Sequence, residues 1–411
     1  MVHPLRTAGW LRARAALAVS AILAVGTSAV HANGFVTGTQ FAVTDGGAAT
    51  LTIPIQVPRG IGGMEPQLSL TYSSSAGNGL FGYGWTLTGP SIVTRCPKTL
   101  LHDRERGKVN FDAEDRYCLE GQRLIPFDGT GYHPGSGVDR LYVLERDTFS
   151  RITATGNATT ATTGAPDKFT VETKSGLKLE FGLSDNSRAK TKTATPASDT
   201  ISRWYLQRIS DRMPTPNSIE FHYCGGTVSV DGMTCTESDA VYTGSKVLWH
   251  IRYTNRGTAL GTAAVMFGYE TRPDRRLTYF SGSSFVQKQR VATISTYLGF
   301  TGAPTPGTRV KIYELTYEPL EDGTASKRVT NISRLTRVQE LRGSPSLTLT
   351  RPPRTTWGAD DALPPVEFTY PADSIHGFTI QQTATGTSGT NTTDTGCGGY
   401  LSKPKRQDLC P

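Results

Sequence analysis

Ser175-Gly176-Leu177-Lys178 has the spacing of a serine nucleophile with its lysine, and Ser184-Asp185-Asn186 follows as the SDN of serine acyl enzymes does. In those enzymes the serine opens a helix. Here Ser175 falls in the turn of a hairpin pattern, with Phe169 and Val171 before it and Leu177, Leu179 and Phe181 after it, and no KTG follows. The match therefore reads as turn chemistry. HExxH, GxSxG and Walker sequences are absent, which removes support for metalloprotease, esterase and nucleotide-hydrolase readings. His102, His133, His222, His250 and His376 are scattered, none with a partner at catalytic spacing. His222 and His250 hold the outward parity of IEFHY and VLWHIRY, which predicts surface positions.

The elements that would have to carry such groups are strands. From Ala49 to Cys96, Leu51, Ile53, Ile55 and Val57 alternate with Thr50, Thr52, Pro54 and Gln56. Leu68, Leu70 and Tyr72 repeat the pattern after a glycine-rich loop from Pro58 to Pro66. Phe81, Tyr83, Trp85 and Leu87 follow, separated by Gly82, Gly84 and Thr86. A period of two means half-buried antiparallel strands. The aromatic stripe would suit a sugar platform, but glycine between the rings predicts a core, with backbone lying close on the opposite face. Val247, Trp249, Ile251 and Tyr253 alternate, as do Val265, Phe267 and Tyr269, and Val366, Phe368 and Tyr370. Ala325 to Leu341 is ambiguous: Val329, Ile332, Leu335 and Val338 are three apart, and either a strand pair or one short helix fits.

Composition agrees with this pattern. Hydrophobic residues make 36% and charged residues 19%, with 44 Gly and 24 Pro, which suits a turn-rich β protein. Arg6, Arg12 and Arg14, the apolar run Ala15 to Val25 and the small residues around Val30-His31-Ala32 predict a cleavable signal peptide over residues 1–32. The apolar run is too short to span a bilayer, so the expectation is a secreted, extracellular chain starting at Asn33. Three of the 43 basic residues fall in this leader, leaving 40 against 35 acids, which is slight. Arg272, Arg275 and Arg276 form one run and Lys403, Lys405 and Arg406 another, without interleaved aromatics. Solvated loop charge is the expectation, and no nucleic-acid partner.

Six cysteines in an exported chain can pair, in fifteen ways. The preferred set joins Cys96 to Cys118, Cys224 to Cys235 and Cys397 to Cys410, each closing a short loop; buried thiols at Cys96 and Cys118 are the alternative. No CxxC or spaced histidine pair points to zinc, and no metal or cofactor is expected.

IPIQVPRGIGGMEPQLSLTYSSSAGNGLFGYGWTLTGPSIVTRC resembles the opening signature of SpvB-type domains, which also begin the B components of insecticidal toxin complexes and many Rhs/YD-repeat toxins. DRYCLEGQRL from Asp115 to Leu124 resembles a second signature, and WYLQRISD with NSIEFHY, from Trp204 to Tyr223, a third. Met213-Pro214-Thr215-Pro216 replaces the turn expected between those last two, and YETRPD at Tyr269 to Asp274 is a weaker fourth match. The resemblance covers about Gly34 to Tyr370. It implies part of a β-shell that, with Rhs repeats, encloses a toxic polypeptide. The Glu-x-Glu pair of the ADP-ribosyltransferase domain that such proteins can carry is absent, so that activity is not carried over.

The expectation is an all-β protein of twisted antiparallel sheets forming part of a cocoon-like shell, with few or no helices after the signal peptide. It places the SpvB-type domain at 33–371 and a polar, disordered or truncated tail at 372–411. The expected function is a secreted virulence or toxin scaffold without catalysis, partnered by an Rhs/YD-repeat or toxin-complex polypeptide or by its own copies. The alternative is a secreted adhesin or carbohydrate-binding β module.

Overall fold

A computed structural model describes residues 38–112, 114–127, 139–156, 165–191, 200–236, 246–281, 283–302, 307–318, 332–343, 362–370 and 379–382. Residues 1–32, where a signal peptide is expected, and Cys397 and Cys410 lie outside them. The described residues are almost entirely antiparallel strand; a single four-residue helix, Leu100–Asp103, is capped by the Thr99 side chain.

The first sheet has the order Gln40–Val43, Ala49–Ile55, Leu68–Ser73 and Trp85–Thr88. Leu51, Ile53 and Ile55 lie in register beside Tyr72, Leu70 and Leu68, and all six are buried. This is the face that the alternation predicts. The 81–87 stripe differs from expectation because it is not one strand. Asn78–Gly79 and Gly82–Tyr83 form a small hairpin, and a separate strand starts at Trp85. Gly82 and Gly84, with φ of +85° and +80°, make the bends. A Cβ on Gly82 would stand 2.7 Å from the Ser333 carbonyl oxygen, and one on Gly84 2.3 Å from the Tyr72 ring. Neither site has room for a side chain.

The next strands close a barrel. Ile92–Cys96, Arg116–Leu119, Gln122–Pro126, Arg140–Leu144, Arg151–Thr155, Lys168–Glu172 and Lys178–Phe181 pair in succession. Thr200–Ser210 then pairs with both Lys178–Phe181 and Ile92–Cys96, completing a ring of eight. A barrel of this size has an interior just wide enough to be filled by side chains. Tyr117, Tyr142, Phe169 and Trp204 fill it, with Tyr117 and Phe169 edge-on to Trp204 at 5.5 and 5.1 Å. Each such buried ring contributes about 1.5–3 kcal/mol over exposure. The Trp204 indole N–H donates to the Pro166 carbonyl at 3.0 Å, so its one polar group is satisfied.

Thr200–Ser210 is also where a larger sheet begins. Asn217–Cys224, Val247–Arg256, Ala263–Phe280, Ser283–Leu298, Thr308–Tyr317, Leu335–Arg342, Val366–Thr369 and Thr379–Gln382 follow in order. The last of these strands falls in the stretch read from sequence as a polar tail. The first sheet packs against the larger one. Trp85 meets Phe368 at 4.9 Å, the Tyr253 hydroxyl donates to the Pro58 carbonyl at 2.8 Å, and the Gln56 N–H donates to the Tyr313 hydroxyl at 3.0 Å.

The ambiguous stretch resolves to the strand Leu335–Arg342 within its described part. Its three-residue apolar spacing has a local cause. Tyr317 pairs with Leu335 and Thr316 with Arg337, so Thr336 is bulged out and Leu335 and Val338 both reach the same core.

The strands Ala263–Phe280 and Ser283–Leu298, of 18 and 16 residues, run past the rest of the sheet as a two-stranded arm. Pairing passes from Thr271 with Gln289 to Arg276 with Gln287, so Arg272 to Arg275, including Pro273, bulge opposite Lys288. The ribbon bends there, and its outer half lies beside the barrel. Phe280 contacts Phe111 at 6.0 Å and the Arg203 guanidinium covers the buried Phe285 ring at 4.3 Å.

Candidate functional site

The acyl-enzyme residues are turn and surface groups. Ser175 lies in the turn between Lys168–Glu172 and Lys178–Phe181, and its hydroxyl meets that of Thr173 at 2.9 Å. The Lys178 ammonium pairs with Glu180 at 2.7 Å. Ser184 precedes a short 3-10 turn and donates to Gln207 at 3.1 Å. These contacts hold turns and assemble no nucleophile with a base.

The aromatic stripe is core. Trp85 is fully buried against Tyr72 and Phe368, and Phe81 is buried as well. Cys96 is bridged to Cys118 with Cα atoms 5.9 Å apart, and Cys224 to Cys235 at 6.0 Å. The first bridge crosses between adjacent barrel strands, and the second closes the small hairpin Thr227–Val228/Cys235–Thr236.

Of the two strand histidines, His222 keeps an exposed side chain and His250 differs from expectation. His222 and His250 do share a face, but they are cross-strand partners whose rings stack at 4.3 Å and 14°. Trp249 and Phe300 pack on His250 and bury it, so its outward parity does not bring it to solvent. That burial, with His222 and Arg252 nearby, pushes its pKa well below the usual imidazole range. His222 Nε2 stands 3.7 Å from Glu220, while Arg208 donates to Glu220 at 2.9 Å. His222 and Arg208 together hold the Glu220 carboxyl down to about 2. Away from this pair, His102 meets Glu145 at 3.1 Å on the short helix.

Two buried ion pairs were invisible as such in the sequence. In the barrel, Arg95 and Asp115 pair at 2.7 Å. Arg95 also donates to the Ile201 and Asp112 carbonyls, and Asp115 accepts the Asn110 and Phe111 N–H groups. Arg95 occupies the inward parity of IVTRC beside Val93, and an inward arginine in an apolar strand was the available signal.

At the bend of the arm, Arg272 is 1% exposed, which corrects the reading of that run as solvated loop charge. It donates to Asp274 at 3.1 Å and to Asn78 at 2.8 Å, and Asp274 also accepts from Asn78 and Ser333. Burial alone would raise the Asp274 pKa. Hydrogen bonds from Arg272, Ser333 and Asn78 outweigh it and hold the carboxyl well below the usual range. Arg275 and Arg276, by contrast, are exposed.

Between the outer arm and the wall of the molecule runs a groove of about 570 Å³. Ile92, Arg203 and Tyr205 form its wall and Thr278 to Phe280 with Phe285 to Gln289 its rim. Its described lining carries Arg203, Lys246, Arg276 and Lys288 and no Asp or Glu.

The family model described as Salmonella virulence plasmid 65kDa B protein, SpvB, matches residues 43–276, more than half of the chain. The chain belongs to the SpvB family. The match on this SpvB-family chain takes in the last three strands of the first sheet, the barrel and the larger sheet as far as Arg276, just beyond the bend of the arm. No curated protein matches it.

Solved structures share its fold. The crystal structure of TcdB2-TccC3 aligns with a TM-score of 0.56 at 18% identity, over 82% of this chain and 17% of that one. The Photorhabdus luminescens Tc holotoxin pore gives 0.55 at 18%, over 82% and 16%. The N-terminal domain of effector protein SpvB from Salmonella typhimurium strain LT2 gives 0.52 at 16%, over 71% of this chain and 99% of that one. The SpvB-family chain thus spans about a sixth of the length of the toxin-complex chains it resembles.

Proposed function

We propose that this chain is an exported, toxin-associated scaffold that supplies part of a β-walled shell enclosing or delivering a toxic polypeptide, with no reaction of its own. The observation that carries the proposal is the filled barrel. Its interior is occupied by Tyr117, Phe169 and Trp204 and sealed with a paired arginine and aspartate, so it serves packing. The groups singled out for chemistry are engaged in turns, bridges and stacked pairs. Family membership and the fold shared with a region of TcdB2-TccC3 support the toxin association.

The partner in this reading is an Rhs/YD-repeat or toxin-complex polypeptide. Co-expression with a Tyr-Asp-repeat polypeptide encoded beside it tests this. The expected result is a stable complex in which protease sites on the second chain become protected. A chain that stays monomeric beside such a partner, or that hydrolyses esters or peptides or transfers ADP-ribose alone, overturns it. Export is tested by sequencing the N-terminus of protein from the culture medium, with Asn33 expected first.

A further inference from the structure

We infer that the groove beneath the arm binds an extended acidic polypeptide segment of a partner, laid alongside the arm as an added strand. Arg203, Lys246, Arg276 and Lys288 line this groove, and no Asp or Glu does among the described residues. Arg203, Arg276 and Lys288, in a groove lining that holds no carboxylate, make a region of positive potential that selects an acidic ligand and repels a basic one.

The backbone supplies the second half of the argument. From Arg276 to Phe280 and from Ser283 to Gln287 each strand pairs only with the other, and no described strand covers either outer edge. Such edges expose alternating N–H and C=O groups that an incoming strand satisfies. Leu277 and Tyr279, 51% and 71% exposed, give the ribbon apolar contacts for alternate side chains of that strand.

The arm is also held in place before any ligand arrives. The Arg272–Asp274–Asn78–Ser333 network fixes its bend, and Phe280 on Phe111 fixes its outer half. Binding therefore costs little ordering of the receptor. A nucleic acid fits less well. Phe285 already lies under Arg203 and Phe280 against Phe111, which leaves Tyr279 as the one well-exposed ring in the described lining, too few for successive bases to stack on. This inference stands apart from the shell reading, since the acidic segment can belong to any partner.

Fluorescence anisotropy with a labelled ten-residue peptide alternating Glu and Val tests it on the purified full chain. Saturable binding is expected, weakening as salt rises. The double reversal Arg276→Glu/Lys288→Glu should lower affinity at least about tenfold, and Arg146→Glu, an exposed reversal on the barrel, should leave it unchanged. Near-UV circular dichroism checks folding, and if the double variant fails to fold, Lys288→Ala alone should still lower affinity about threefold. Equal binding of a Lys-Val peptide, unchanged affinity in a folded reversal variant, or displacement of the peptide by oligo-thymidine at lower concentration overturns the inference.

Discussion

In the barrel every strand has a neighbour on both edges, and its inward side chains are shut away from water. In the outer arm two strands pair with each other alone, and half of their side chains face water. Both regions are built from alternating apolar and polar residues, so alternation does not decide which outcome a strand meets. Closure decides it. Thr200–Ser210 returns to Ile92–Cys96 and removes the barrel's edges, whereas nothing described returns to the arm.

The sharpest way to break this contrast is to unbalance the barrel. Asp115→Ala strips Arg95 of its carboxylate in a site with almost no water, and should cost about 3–5 kcal/mol in urea unfolding. A cost under about 1 kcal/mol would mean the barrel end is open to solvent. At the bend, Asp274→Asn removes the charged acceptor of Arg272, Ser333 and Asn78, with about 1–3 kcal/mol expected. Amide exchange should then quicken in the arm and stay slow in the barrel, because the two open separately.

The stacked histidines give a smaller, pH-dependent difference. His250 takes up a proton far less readily when folded than at its unfolded value of 6.5. As pH falls below that value the unfolded chain gains a proton that the folded one refuses, and stability declines by at most about 1.4 kcal/mol per pH unit. The loss continues down to the depressed folded pKa. His250→Phe keeps a ring beside His222 and should flatten that slope between pH 6.5 and 5 in thermal melts. Smallest of all, Leu277→Ser on the exposed arm should shift stability by no more than about 0.5 kcal/mol. A large loss there would show that something covers the ribbon in solution.

Much of this architecture could be read from residue order. The buried face shared by Ala49–Ile55 and Leu68–Ser73 follows from alternation, because a one-residue slip would turn every apolar side chain outward. Glycine between the rings of 81–87 correctly announced close backbone, but its left-handed conformation, which breaks the stripe into a hairpin and a separate strand, was not legible. His222 and His250 had the right parity, but only His222 keeps the expected exposure, since parity assigns a face and cannot say that Phe300 and Trp249 cover His250. Arg272 read as loop charge because its partner Asn78 is distant in sequence. Barrel closure and the groove were hidden for the same reason, each joining segments that lie far apart along the chain.

The strand Thr200–Ser210 carries a consequence for assembly in time. Arg95 and Ile201, whose contact marks the barrel seam, are 106 residues apart. At ordinary synthesis rates the ribosome needs roughly 5–20 s to deliver the second after the first. For that interval Ile92–Cys96 waits with one flank unzipped, and folding so dependent on distant partners is intrinsically slow. A nascent chain halted before residue 200 should accordingly be captured by chaperones far more avidly than one released after residue 210.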